Sequence, residues 1–156
     1  MADTAGLKFF GRDDLEIGRR HTPDRAFFVQ GYPAAEVNVT QTSSRPVLDL
    51  LSMGLGTVSL PPDTDQDELV VEYPPRSPED TGLELPHPRG ISGGGVYVLP
   101  PDDRAVVWSP QQSKLVAVAH SFDALHYRLA STPIELWLTM VTEDHPYLRG
   151  LLPHLH

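Results

Sequence analysis

Proline interrupts this chain so often that it constrains the fold more than any other feature. There are 16 prolines among 156 residues. Proline lacks a backbone N–H and is excluded from helix interiors and from central strands. It cuts the sequence into short apolar runs separated by turns, which suits a fold of short strands. With 40% hydrophobic residues, the chain can build a real core. Its length allows one domain of ordinary size, or two very small ones.

Several runs read as strands. Phe27 to Gln30 is apolar and stops at Gly31-Tyr32-Pro33. Val37 to Gln41 alternates with period two, the mark of a half-buried strand. Val47 to Met53 is apolar, and Gly54 and Gly56 favour strand and turn there over helix. Leu69 to Val71, Val96 to Leu99 and Ala105 to Trp108 are further strand candidates. Leu115 to Ala119 is wholly apolar and is expected to be buried. Pro61 to Asp67 and Pro74 to Pro88 read as loops.

The last element differs. Ile134, Trp137, Leu138 and Val141 fall on one face of a helix. Thr132 stands at the N-cap position, Pro133 at the first helical one and Glu135 three after the cap, a capping box with a proline start. A helix is expected over about 133–143. Helices do not alternate with strands, so the expected fold is all-β: six to eight short antiparallel strands in a small barrel, closed by one C-terminal helix.

The formal net charge of -9 argues against nucleic acid, whose phosphates need a basic face, and against an anionic membrane surface. The chain has no cysteine, so disulfides and thiolate sites are absent. Met1 to Gly11 shows no apolar signal segment, and no stretch approaches a membrane span. A cytoplasmic protein is expected, provided that Met1 is the natural start.

Gly90-Ile91-Ser92-Gly93-Gly94-Gly95 is the segment that carries chemistry. A serine becomes a useful nucleophile on a tight turn with backbone N–H groups aimed at the developing oxyanion and a base beside it. Glycines permit such a turn and let a substrate backbone approach closely. The run resembles the Gly-x-Ser-Gly-Gly signature of trypsin-like serine peptidases. Its neighbours resemble that family too. Phe27 to Pro33 is similar to the strand and Gly-aromatic-Pro turn that open the second barrel of bacterial members. Lys114 to His120 is similar to the strand after the nucleophile, and the helix after Thr132 to the family's C-terminal helix. The resemblance spans roughly residues 25 to 145.

The resemblance implies a C-terminal β-barrel with its terminal helix over 27–145, a linker-like segment over 1–26 and a tail over 146–156. Ser92 would be the acyl-forming nucleophile, and the N–H groups of Gly90 and Ser92 the oxyanion hole. Ala119, His120, Ser121 and Phe122, with the loop before Gly90, would border the substrate pocket. A polypeptide substrate or peptide ligand is implied, with no cofactor and no metal. Ile91 stands where animal members carry an aspartate that pairs with the N-terminus released on zymogen cleavage. That activation route is therefore not expected.

The family draws its histidine and aspartate from a first barrel that precedes the second. Here about 26 residues precede the first strand, too few for a barrel. Asp14 in Asp14-Leu15-Glu16-Ile17 superficially resembles the catalytic aspartate segment, but it lies too close to Gly31, and linker is the favoured reading. His21 lacks the context of a catalytic histidine. His120 either favours an acidic or polar substrate side chain or is a strand-end histidine satisfied by backbone. His87, His126 and His145 show no metal spacing, and His154 and His156 read as a frayed tail. Asp63, Asp65 and Asp67 alternate as calcium loops do, without the glycine and distal glutamate such a loop needs. The chain is thus expected to be a peptidase half that is inactive alone, its first barrel supplied through a longer reading frame or by a partner chain in trans, and a lone copy is expected to tend to self-association. The alternatives are a non-catalytic peptide-binding barrel or a regulatory domain.

Overall fold

A computed structural model describes residues 11–17, 25–32, 37–42, 45–50, 53–59, 67–74, 87–100 and 112–151. Among them run strands β1 (Ala26–Gly31), β2 (Val37–Thr42), β3 (Arg45–Leu50), β4 (Met53–Val58), β5 (Leu69–Glu72), β6 (Gly95–Val98), β7 (Lys114–Asp123) and β8 (Arg128–Pro133), then helix α1 (Ile134–Asp144). Six strands form one sheet in the order β4-β1-β6-β7-β8-β5, and β2 pairs with β3. Every strand pairing is antiparallel. Beyond β4, Ser59 bridges Val71 of β5, so the sheet curls until its two edge strands touch. The chain is a small, mostly antiparallel β fold with one helix, as the proline spacing leads one to expect. The strand expected over 105–108 and the residues His21, Asp63, Asp65, His154 and His156 lie outside the described residues.

Alternation builds the core. Phe27 and Val29 of β1, Leu69 and Val71 of β5, Val96 and Val98 of β6, Ala117 and Ala119 of β7, and Leu129 of β8 are all buried. Successive side chains of a strand point to opposite faces, so one face of the curled sheet collects these residues. Each large apolar side chain so buried contributes about 1.5–3 kcal/mol. β7 is longer than its apolar run suggests, and it is not buried throughout. Only Ala117 and Ala119 are enclosed, because its other face is partly open.

Two expectations need correction. The helix starts at Ile134, with Pro133 as its N-cap and no side-chain capping bond, so the capping box at Thr132 does not form. Thr132 is held instead as a strand residue of β8, paired with Val118. Extended pairing in β8 holds Thr132 one residue short of the cap position. The buried helix stripe is Ile134, Leu138 and Thr142, whereas Trp137 is 45% exposed. Thr142 enters the buried face because its hydroxyl donates to the Thr139 carbonyl, 2.9 Å away.

The described residues of the expected linker-like segment touch the sheet. Gly11 N–H donates to Asp14 Oδ2 at 2.9 Å around the 3-10 turn Arg12–Asp14. Leu15 then bridges Leu115 in parallel, and Arg25 pairs with Glu16 at 2.8 Å. Lys114 Nζ donates to the Asp13 carbonyl.

Leu138→Ala should lower stability by about 2–3 kcal/mol in urea denaturation, while Trp137→Ala should cost less than about 1 kcal/mol. Tyr73, 2% exposed, gives a second expectation. Burial pushes its phenol up to about 12. A raised native value means that the protonated form stabilises the fold below pH 10 and that this stability is lost as the pH rises through about 12. Ultraviolet titration should show late tyrosine ionisation, because burial raises Tyr97 as well, and Tyr73→Phe should remove its component near pH 12.

Candidate active site

Two glycines shape the turn between residues 88 and 95. Gly90 has φ 93° and Gly93 has φ 87°. Both lie in the left-handed region that a Cβ penalises. Three amides hold the turn closed. Ile91 N–H donates to Pro88 O at 3.0 Å, Gly94 N–H to Ile91 O at 2.8 Å and Gly93 N–H to Ala119 O at 2.8 Å. Ala119 N–H returns to Gly94 O at 2.9 Å. The amides of Gly90 and Ser92 donate to no acceptor among the described residues. From Gly90 to Gly93 unused and used donors alternate, and the unused pair belongs to the serine and to the residue two before it.

Ser92 is exposed, and its Oγ donates to the His120 carbonyl at 3.1 Å. A carbonyl oxygen accepts a hydrogen bond but does not remove the proton at neutral pH, so this contact orients the hydroxyl without activating it. Among the described residues no histidine or carboxylate side chain is hydrogen-bonded to Ser92. Asp14 sits beside the start of β7 through Leu15 and Lys114. His120 lies five positions beyond Leu115 along that strand, roughly 16 Å at ~3.3 Å per residue. Asp14 is therefore remote from Ser92.

The four residues expected at the substrate pocket sit along the second half of β7, next to the turn. The Ala119 side chain faces the core, so this residue meets the turn through its backbone. His120 Nε2 lies 3.4 Å from Glu68 Oε1. Ser121 is exposed and pairs with Ala130 past a register shift in β7. Phe122 stands edge-on to Tyr73 and to His87, with centroids 5.6 and 5.8 Å apart. His87 accepts the Arg89 N–H at Nδ1. At the β7–β8 turn, His126 sits 2.6 Å from Asp123, and its hydrogen bond holds that carboxyl below its usual value. No described group of three histidine or carboxylate side chains is gathered as a metal ion would require.

A cleft of about 360 Å³ opens beside Ser92. Gln30, Gly31, Tyr32 and Tyr97 form one wall, and the turn from Gly90 to Gly95 forms the other. The sequence marks Gly31-Tyr32 as a strand end, yet nothing local shows that it faces Ser92. That follows only from the pairing of β1 with β6, which sets Gln30 opposite Gly95.

Set against known protein families, curated proteins and solved structures, the chain matches none. No helix among the described residues is long and apolar enough to cross a membrane.

Gly93→Ala should isolate the backbone requirement of the turn. A Cβ there meets nothing within 4 Å, so only its φ of 87° resists the change. A loss of about 1–2 kcal/mol in urea unfolding is expected. Gly56→Ala, in equally open space without a positive φ, should stay within about 0.5 kcal/mol of the parent.

Proposed function

We propose that this chain carries the nucleophile half of a trypsin-like serine peptidase site, with the curled sheet as that family's C-terminal barrel. Ser92 is the acyl-forming nucleophile in this reading, and the Gly90 and Ser92 N–H groups form its oxyanion hole. One observation carries it: within a turn closed by three hydrogen bonds, the two unspent amides are those of Gly90 and Ser92. Two donors aimed at developing negative charge are the largest single aid to acyl transfer, each worth about 10²–10³ in rate. The features that resemble the family also come together, since β1, β6 and β7 are neighbours in one sheet and α1 follows β8. The substrate class is polypeptide.

The described residues supply no base to Ser92, so the general base is proposed to come from a first barrel, carried by a longer form of this chain or by a partner. Without it the serine keeps only the residual acceleration of the oxyanion hole and binding, about 10³–10⁴ over water. That no described residue offers Ser92 a base also favours a second reading, a barrel that holds an extended peptide without cleaving it.

A fluorophosphonate probe followed by mass spectrometry tests the proposal. Labelling of the chain should be slow, confined to Ser92, lost in Ser92→Ala and increasing with pH through 9, because hydroxide replaces the missing base. Labelling spread over many serines would remove the oxyanion hole from consideration. Rapid labelling that levels off near pH 7 would overturn the external base.

A further inference from the structure

We propose that Gly31 is a positioning residue for the oxyanion turn, because its missing side chain is the seat on which Ile91 rests. This rests on the reading of Ser92 as nucleophile. A Cβ on Gly31 would lie 2.5 Å from Ile91 Cγ1 and 3.3 Å from Ile91 O. Ile91 is 2% exposed, so its side chain has no open volume to retreat into. Gly94 locks the other side. A Cβ there would lie 2.5 Å from Gln30 O and 2.7 Å from Ile91 O. The end of β1 and the turn therefore meet at a distance that only two glycines permit.

Ile91 transmits this contact to the site. It separates the two residues with unspent amides, and its own N–H and C=O both close the turn, to Pro88 O and from Gly94 N. Any displacement of Ile91 rotates the peptide planes on both sides of it. Those planes carry the Ile91 and Ser92 amides directly, and the Gly90 amide sits one peptide bond further back. The contact uses an aliphatic side chain and two bare α-carbons, with no charged group. The turn is thus set by steric fit between β1 and Ile91, in place of an ion pair made after cleavage.

The two glycines make different contacts. At Gly31 the nearest obstacle is the side chain of Ile91, which truncation removes. At Gly94 it is the backbone carbonyl of Gln30, which truncation leaves in place.

The test is a mutant cycle in the 156-residue chain: Gly31→Ala, Ile91→Ala, their double variant, and Gly94→Ala with and without Ile91→Ala. Ser92 labelling by a fluorophosphonate at pH 9 is read beside the amide resonances of Gly90, Ser92 and the β8 residues. Gly31→Ala should slow labelling by roughly tenfold or more and shift the Gly90 and Ser92 resonances while those of Leu129 and Ala130 stay. Adding Ile91→Ala should bring labelling back to within about threefold of Ile91→Ala alone. The same addition should not rescue Gly94→Ala. Additive losses in the Gly31–Ile91 pair would overturn the proposal, as would unmoved Gly90 and Ser92 resonances in Gly31→Ala. Should Gly31→Ala fail to fold, a folded double variant is the rescue, and a double variant equally unfolded overturns it. Failure of the parent chain to label at Ser92 removes the peptidase reading alone, since the amide resonances still decide the cycle.

Discussion

The exchange of hydrogen bonds between Ala119 and the Gly93–Gly94 backbone joins the fold to its site. Gly93 N–H reaches Ala119 O at 2.8 Å, and Ala119 N–H reaches Gly94 O at 2.9 Å. This pair extends the β6–β7 ladder past the start of β6 and into the turn. β7 is the longest strand described and pairs along its length with β6, then β8. Whatever fixes β7 therefore fixes Ser92. The buried methyl of Ala119 makes the link rigid, because one residue serves the core with its side chain and the turn with its backbone.

The register shift in β7 between Ala119 and Ser121 follows from the same junction. An irregularity of this kind bends the strand and re-aims the residues beside it. It leaves the His120 carbonyl available to Ser92 Oγ while Ser121 and Phe122 resume pairing with β8. Glu68 opposite the His120 ring comes from the segment just before β5, whose Leu69 pairs with Ser131 across from Ala119. The level of the sheet that holds the turn thus gathers three strands at one end of the core.

What the sequence reveals depends on how local each determinant is. The strands at Phe27, Leu69, Val96 and Leu115 are legible because apolar and β-branched residues cluster between turn formers. β8 is not, since Arg128-Leu129-Ala130-Ser131-Thr132-Pro133 has no alternation of large apolar residues. It is a strand because β5 and β7 flank it on both sides. The same tertiary pairing undoes the local signal at Thr132, where a sound capping pattern loses to a ladder. Trp137 sits at helical spacing, yet the stripe that packs is set by which face meets the sheet. At the site, the turn from Gly90 to Gly95 is legible because its requirement is local and glycines satisfy it. The wall from Gln30 to Tyr32 is about sixty residues upstream, and no pattern within either segment announces the other.

That division between local and distant determinants bears on the chemistry itself. Nucleophilic acyl transfer by serine asks for two separate things, stabilisation of an oxyanion and removal of a proton. The first is met by backbone amides a few residues apart, so a single turn can hold it, and no side chain other than hydrogen at two positions is required. The second needs a side chain of suitable basicity brought from elsewhere in space, which a turn cannot hold by itself. Ser92 Oγ donates to a carbonyl, a partner that orients the hydroxyl and leaves its lone pairs facing away from that bond. On the proposed reading, a base arriving from the first barrel must compete with the His120 carbonyl for the same proton. The cost of that exchange is small, because one exposed neutral hydrogen bond contributes only about 0.5–1.5 kcal/mol. On that reading the turn is organised for the negative charge that develops on the substrate oxygen as Ser92 attacks, and fast attack waits for a base to take the place of His120 O.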